Sequence, residues 1–227
     1  MIAHRETVRV LYEDNHLLGL YKPAGMLVQG DHTGDYSLLE WAKDYIRARY
    51  AKPGEVFVGL VHRLDRPVAG VVLLARTSKA ARRLSEQFRE RSCRKIYRAV
   101  VVGTPQPAEG ALTSYVSWNG KRALIVPAEH PDAKKAELRY RTLDQRGGSS
   151  LVEVELLSGR HHQIRLQLAS IGCPILGDRL YGGRAAGKTG LLALLACSLT
   201  VRHPTRDEAV TLVSPIPPAW PWPPGKD

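Results

Sequence analysis

A carboxylate flanked by two guanidinium groups stands out in this sequence. Asp65 lies between Arg63 and Arg66, within the stretch His-Arg-Leu-Asp-Arg at 62–66. Apolar runs at 57–61 and 71–75 flank it, which predicts two strands that end close to this charged segment. A turn between two strands needs no such charge. A carboxylate in this position can act as a nucleophile or as a general base, and nearby arginines favour its ionised form.

Two further segments carry side chains suited to nucleic-acid chemistry. The first reads Ser-Gly-Arg-His-His-Gln-Ile-Arg at 158–165 and is followed by Gly-Asp-Arg-Leu-Tyr-Gly at 177–182; the second reads Lys-Ile-Tyr-Arg at 95–98. An aromatic ring can stack on a nucleobase, while basic and amide groups can bind phosphates and sugar hydroxyls. Taken singly, each residue also has an ordinary structural explanation. Asp65 is typical of turns, Arg165 of a helix surface and Tyr97 of strand packing.

Taken together, these segments resemble the signature motifs of the RluA-type pseudouridine synthases. Lys-Pro-x-Gly at 22–25 and Lys-x-Tyr at 95–97 fit the same family in the same order, and the likeness covers about residues 8–215. The resemblance implies an isomerase that converts uridines of rRNA or tRNA to pseudouridine without a metal or an organic cofactor. It also implies an α/β (α+β) fold: a mixed, largely antiparallel central sheet in two halves, with flanking helices and an active-site cleft between the halves.

The resemblance also implies roles for individual residues. Asp65 matches the catalytic aspartate, Arg165 the arginine that pairs with it, and Tyr97 the tyrosine that stacks on the target uracil. Arg63 matches an arginine that enters the RNA and helps to hold the target nucleotide flipped out. The other motif residues that we expect to bind RNA are Arg66, Arg160, His162, Gln163 and Lys95. We expect the imidazoles of His62 and His162 to serve structure, because the reaction needs no imidazole.

The sequence departs from the family pattern close to Asp65. Val68-Ala69 stands where the family commonly has Thr-Ser, and Gln167 stands where it usually has histidine; a second usual histidine is replaced at Leu195 or a neighbour. The lost hydroxyl groups keep a second hypothesis open, namely a catalytically inactive RNA-binding protein on the same fold.

A third hypothesis arises from residues 182–189, which fit the phosphate-binding pattern G-x-x-x-x-G-K-T. That pattern forms a phosphate-binding loop only between a buried strand and a helix. Residues 191–196 fit the helix, but residues 173–181 do not resemble a buried strand. Nucleotide hydrolysis is therefore the least supported of the three hypotheses.

Composition favours a polyanionic partner. The 227 residues include 33 Lys+Arg against 22 Asp+Glu, which gives a net charge of +11. Such an excess is typical of proteins that bind nucleic acid. The N-terminus has no apolar run typical of a secretory signal, and the longest apolar run, 191–197, is too short to span a membrane. Together with three widely spaced cysteines, which we interpret as reduced, this predicts a cytoplasmic protein that we expect to be a monomer.

The elements that must hold these residues follow from apolar periodicity. We predict strands at 8–11, 17–21, 57–64, 70–75 and 96–102, strand pairs within 111–126 and across 138–157, and helices at 37–50, 77–91 and 161–171. Ser37 and Glu40 fit a capping box at the first helix, and Asn119-Gly120 fits a hairpin turn. No linker divides the chain, so we expect a single catalytic domain over 1–227, with a proline-rich extended tail at 214–227.

Overall fold

The computed structural model describes residues 7–51, 53–183 and 191–222. The chain divides into two compact units: Met1–Cys93 with Ala196–Pro215, and Arg94–Leu195 with Ile216–Asp227. In chain order the elements are β1 (Arg9–Glu13), β2 (Leu17–Lys22), α1 (Leu38–Tyr50), β3 (Gly59–Leu60), β4 (Ala69–Ala75), α2 (Ser78–Glu90), β5 (Arg94–Val102), β6 (Glu109–Trp118), β7 (Ala123–Val126), β8 (Lys134–Arg146), β9 (Ser149–Leu156), α3 (Gln163–Ser170), β10 (Leu194–Arg202) and β11 (Ala209–Val213).

The first unit is built on β2 and β4, whose side chains are buried throughout. β2 pairs with β1 on one side and β4 on the other, both antiparallel, and β11 pairs antiparallel with β10. The amphipathic helix α2 covers this layer with Leu84, which is fully buried in one cluster with Leu17, Leu73 and Leu212. Burial of these side chains is the main stabilising term that holds the strands in place.

The close approach of β4 to β10 requires a glycine. Gly70 has a φ of +128°, and a Cβ at this position would lie 2.3 Å from the carbonyl oxygen of Ala196. No other residue type fits this contact without moving a backbone segment. The glycine therefore fixes the start of β4, five residues after Asp65.

The second unit is an antiparallel array in the order β5-β9-β8-β6-β7, with α3 following β9 in the chain. The hairpin predicted at Asn119-Gly120 connects β6 to β7. The side-chain oxygen of Asn119 accepts hydrogen bonds from the backbone N–H groups of Lys121 and Arg122, at 3.0 and 2.9 Å. These bonds hold the turn in one conformation, and β7 lies at the end of the strand order.

The mixed, largely antiparallel α/β fold that the motifs imply is thus confirmed, and so are the three helices. The capping box at α1 is present, since Ser37 Oγ accepts from the N–H of Glu40 at 3.3 Å and Glu40 Oε2 accepts from the N–H of Ser37 at 2.8 Å. α1 ends at Tyr50, where the sequence predicts its end, and a Lys-Pro-Gly segment follows at 52–54.

Two element predictions are wrong. The strand predicted at 57–64 is reduced to β3, because Nε2 of His62 accepts the backbone N–H of Leu73 at 2.9 Å in place of a ladder carbonyl. The helix considered at 191–196 is replaced by the start of β10, whose buried Leu-Leu-Ala residues are part of a strand. Residues 184–190 of the phosphate-loop pattern lie outside the described residues. The described residues after them form a strand rather than the helix that such a loop requires.

The proline-rich tail runs without regular secondary structure from 214 to 222. It is held against the second unit by Trp222, which is buried and donates from Nε1 to Asp144 at 3.2 Å. The three cysteines are unbridged. Within the ranges that the structure describes, no helix has the length and apolarity needed to cross a bilayer.

Candidate active site

Asp65 occupies a short turn in the first unit, between buried Leu64 and buried Val68. Its backbone carbonyl oxygen accepts the N–H of Val68 at 3.0 Å, which closes the turn. Val68 and Ala69, the two departures from the family pattern, point their side chains into the core at 3% and 5% exposure. The apolar side chains that stand in place of the usual hydroxyl groups therefore extend the core behind Asp65, and the turn stays closed.

Lys22 lies beneath this turn and is fully buried. Its Nζ donates to the carbonyl oxygens of Met26 at 2.8 Å, Pro23 at 3.1 Å and Arg66 at 3.1 Å. Burial lowers the pKa of Lys22 to about 7, and Asp65 opposes this shift through its negative charge. Three carbonyl acceptors match the three hydrogens of an ammonium group, so the geometry suits the protonated lysine. Lys22 thereby ties the end of β2 to the residue that follows Asp65.

The two arginines beside Asp65 are placed differently. Arg66 donates from Nη2 to Asp35 at 2.6 Å and from Nε to the carbonyl oxygen of Gly25 at 3.0 Å, although it stays exposed. Arg63 is exposed, and no described residue of its unit forms a hydrogen bond or ion pair with its guanidinium group. Arg66 is therefore anchored to neighbouring loops, and Arg63 projects from the unit.

In the second unit, Arg165 of α3 is held by a buried carboxylate. Its Nε and Nη2 donate to Asp178 at 2.7 and 2.8 Å, and the side chain of Asp178 is fully buried. The guanidinium carbon also lies 5.2 Å from the ring centroid of Tyr181. A bidentate pair of this kind fixes the plane of the guanidinium group.

A buried amide network precedes Arg165. Gln163 accepts from Ser158 Oγ at 2.8 Å and from the N–H of Arg160 at 3.0 Å, and it donates to the carbonyl oxygen of Glu137 and to Gln167 at 3.0 Å each. Gln163 is 2% exposed. These bonds use both ends of its amide, so contact with RNA, which the sequence predicts, would require some of them to be exchanged.

Gln167, at the position where the family usually has histidine, continues this network. Its Nε2 lies 3.0 Å from Ser114 Oγ and 3.2 Å from the carbonyl oxygen of Ala136. The amide therefore links α3 to β6 and β8. Where the family usually has an imidazole, this chain therefore has a side-chain amide whose NH2 group donates to β6 and β8.

His162 starts α3 in the left-handed region, with a φ of 53°. Non-glycine residues adopt this conformation rarely, and such strain is concentrated at functional sites. Its Nδ1 lies 3.0 Å from the hydroxyl of Tyr181, which also accepts the N–H of Ala123 at 2.8 Å and lies 3.3 Å from the carbonyl oxygen of Ala123. The Gly-Asp-Arg-Leu-Tyr-Gly motif is thus bonded both to the 158–165 motif and to β7.

The Lys-Ile-Tyr-Arg segment at 95–98 lies on β5. Tyr97 is paired with Val154 of β9 and is partly buried. Lys95 is on the same face, since side chains alternate along a strand. Its Nζ lies 3.8 Å from the position that a Cβ of Gly159 would occupy, which places Lys95 beside the start of the Gly-Arg-x-His-Gln-Ile-Arg motif.

The first unit therefore brings Asp65 together with Arg66 and Lys22. The second unit brings together the Gly-Asp-Arg-Leu-Tyr-Gly motif and four of the predicted site residues: Lys95, His162, Gln163 and Arg165. The sequence did not reveal that Asp178 is the carboxylate bonded to Arg165, because a separation of 13 residues across a turn matches no simple spacing rule. Nor did it reveal that Lys22 is buried; the only signal was its place before proline at a strand end. The expectation that no metal or cofactor is needed stays a prediction.

Comparison with known proteins gives concordant matches. A family model described as RNA pseudouridylate synthase matches residues 16–170. The chain is 32% identical over 213 residues to the ribosomal large subunit pseudouridine synthase C of Vibrio parahaemolyticus, covering 91% of this chain and 65% of that protein. The Escherichia coli protein of the same description is 34% identical over 219 residues, covering 91% and 66%. The chain thus spans about 65% of the length of these curated relatives.

Solved structures agree with these matches. The human RNA pseudouridylate synthase domain containing 4 aligns with a TM-score of 0.78 and 26% identity, covering 93% of this chain and 89% of that chain. The human RNA pseudouridylate synthase domain containing 1 aligns with a TM-score of 0.75 at 23% identity, covering 94% and 85%, and supports the fold alone.

Proposed function

The chain belongs to the RNA pseudouridylate synthase family, and on that premise we propose that it isomerises uridine to pseudouridine in RNA, with Asp65 as the catalytic carboxylate. The observation that carries the proposal is the family match over residues 16–170, which contains the His-Arg-Leu-Asp and Gly-Arg-x-His-Gln-Ile-Arg motifs in order. The closed turn at Asp65 supports it, because the core substitutions at Val68 and Ala69 leave that turn in place.

The proposed reaction conserves the atoms of the nucleotide. The N1–C1′ bond breaks, the uracil turns, and a C5–C1′ bond forms; the proton on C5 is then lost and N1 gains one. Asp65 either attacks C1′ or removes a ribose proton to give a glycal-like intermediate. Both routes need an ionised carboxylate, and Asp65 lies close enough to the buried Lys22 to interact with it electrostatically.

The other motif residues have distinct proposed roles. Arg165 pairs with Asp65, and Asp178 supports this role by fixing the guanidinium plane through Nε and Nη2. Tyr97 stacks on the uracil, which must be retained while it is detached from the ribose. Arg63, which is exposed, enters the RNA and helps to hold the target nucleotide flipped out.

The remaining basic side chains are proposed to bind the RNA backbone. They are Arg66, Arg160, His162 and Lys95. Because the curated relatives carry the name ribosomal large subunit pseudouridine synthase C, we propose large-subunit ribosomal RNA as the substrate. This substrate would place the reaction in the cytoplasm.

The proposal is tested by pseudouridine mapping of ribosomal and transfer RNA from cells that lack the gene and carry wild type or Asp65→Asn. We expect wild type to restore at least one modified site in large-subunit RNA and Asp65→Asn to restore none. The matched control is Asp44→Asn, which removes an exposed carboxylate from α1 of the same unit. Modification by Asp65→Asn at the wild-type level would disprove the role of Asp65. Absence of modification by wild type in every RNA would favour the inactive RNA-binding protein.

A further inference from the structure

An exposed aromatic cluster lies on the second unit, and two of its rings, Trp118 and His161, have no role in the proposed reaction. Trp118, at the end of β6, is 43% exposed. Its indole centroid lies 4.1 Å from the ring of His161 and 5.2 Å from the ring of His162. His161 is exposed as well, and His162 packs edge-on against Tyr181 at 5.7 Å. Two exposed rings are thus backed by two partly buried ones.

The position of the indole is fixed by the hairpin that follows it. Trp118 is paired with Ala123 in the β6–β7 register, and the side chain of Asn119 closes the turn between them. Ala123 is buried and its backbone N–H is bonded to Tyr181. A large apolar ring held in a defined position at the surface costs solvation free energy unless a partner covers it. No described residue of the second unit hydrogen-bonds its indole N–H.

The surroundings of the indole are cationic. Lys121 and Arg122 follow in the hairpin turn and are exposed, and Arg160 precedes His161. Lys134 lies opposite Val116 in the β6–β8 register, two residues from Trp118. The carboxylate of Glu137, the nearest acidic residue on β8, is bonded to Lys135 at 2.8 Å. An aromatic surface within a cationic border is the arrangement that binds unpaired nucleotides, with the base on the ring and the phosphates on the cations.

We propose that Trp118 and His161 form a stacking platform for one unpaired base of the substrate RNA, a base other than the target uridine. Lys121 and Arg122 hold the phosphates next to that base. The platform gives the protein a preference for loops and bulges, because a base inside a duplex has no free face to stack. The inference rests on the proposed function in so far as it takes RNA as the ligand.

The test measures equilibrium binding of two synthetic RNAs, a hairpin with a single-stranded loop and the fully paired duplex of the same stem. Stacking on an aromatic side chain is worth about 1–3 kcal/mol per base. We therefore expect Trp118→Ala to weaken hairpin binding by roughly 5- to 150-fold and His161→Ala by less, while Trp118→Phe keeps most of the affinity. Duplex binding should change by less than about twofold in each variant.

The matched control is Tyr115→Ala. Tyr115 is 36% exposed on the same strand but lies three residues from Trp118, so its side chain is on the opposite face. We expect this variant to bind the hairpin as wild type does. Lys121→Ala should instead lower the salt dependence of binding, a slope that Trp118→Ala leaves unchanged. Circular dichroism and thermal unfolding check that each variant is folded.

The outcomes separate this proposal from the proposed function. If Trp118→Ala binds the hairpin as tightly as wild type does, the platform is disproved. The same holds if this variant loses as much affinity for the duplex as for the hairpin. Either result disproves the platform even if the protein makes pseudouridine. Selective loss on the hairpin supports the platform, even if wild type modifies no RNA and the proposed function fails.

Discussion

A cationic side chain is buried in each unit, and the two are held in opposite ways. Lys22 of the first unit is surrounded by the carbonyl oxygens of Pro23, Met26 and Arg66. Arg165 of the second unit is bonded to the carboxylate of Asp178. Carbonyl groups are dipoles, so they stabilise the ammonium group without cancelling its charge, whereas Asp178 cancels the charge of Arg165. Lys22 is therefore held without a counter-charge in these three bonds, whereas Arg165 is held in a fixed plane by a carboxylate.

This difference has a physical reason in the geometry of the two groups. An ammonium group is compact and suits three converging carbonyl oxygens, whereas a guanidinium group is planar and suits the two parallel oxygens of a carboxylate. Removing each charge in turn tests whether the two groups differ in this way.

The largest effect is expected for Arg165→Met. This change leaves the carboxylate of Asp178 buried without its cation, which costs about 3–5 kcal/mol in the free energy of unfolding. Urea denaturation followed by circular dichroism measures the loss. Pseudouridine formation should also be abolished if Arg165 has the proposed role.

The double variant Arg165→Met/Asp178→Asn serves as the control for this effect. The asparagine is neutral and can still accept the N–H of Leu180, which Asp178 Oδ1 accepts at 3.1 Å. We expect the double variant to regain much of the lost stability but none of the activity. A double variant as unstable as Arg165→Met would show that the unpaired charge is not the cause.

A smaller loss is expected for Lys22→Met, about 1–3 kcal/mol, because the substitution removes a charge and leaves carbonyl groups with fewer donors. The carbonyl of Arg66 still accepts the N–H of Gly25 at 2.8 Å, which limits the cost. The same urea titration applies, with Lys79→Met, an exposed change on α2, as the matched control. Equal stability of the two variants would argue that Lys22 does not support the turn.

The subtlest effect is on the pH dependence of stability. Burial lowers the pKa of Lys22 from 10.5 to about 7 in the folded protein. Between these two values the unfolded chain holds a proton that the folded chain has released, so this group makes the free energy of unfolding rise with pH. We expect the difference between wild type and Lys22→Met to grow between pH 7 and pH 10.5. Parallel curves would mean that the carbonyl groups keep Lys22 protonated.

The sequence predicted the helices, most of the strands and the family because these depend on local patterns. Ser37 and Glu40 are three residues apart, and Asn119-Gly120 is itself the turn signal. The strand at 57–64 was predicted wrongly because no local pattern reveals that His62 bonds to Leu73.

For the same reason the candidate site was predicted in part. The motifs identified Asp65, Arg165 and Tyr97 by their resemblance to a family, and their roles stay predictions. The bond between Arg165 and Asp178 and the burial of Lys22 depend on contacts between segments that are distant in sequence, and periodicity carries no information about such contacts.

The hydroxyl of Tyr181 has a consequence for the behaviour of the protein in concentrated solution. β7 ends the strand order of its unit, so its outer backbone groups offer a template to which a strand of another molecule could add. Tyr181 occupies the N–H of Ala123 on that edge. The Gly-Asp-Arg-Leu-Tyr-Gly motif thus also occupies part of an open sheet edge and leaves one fewer backbone donor there for a strand of another molecule.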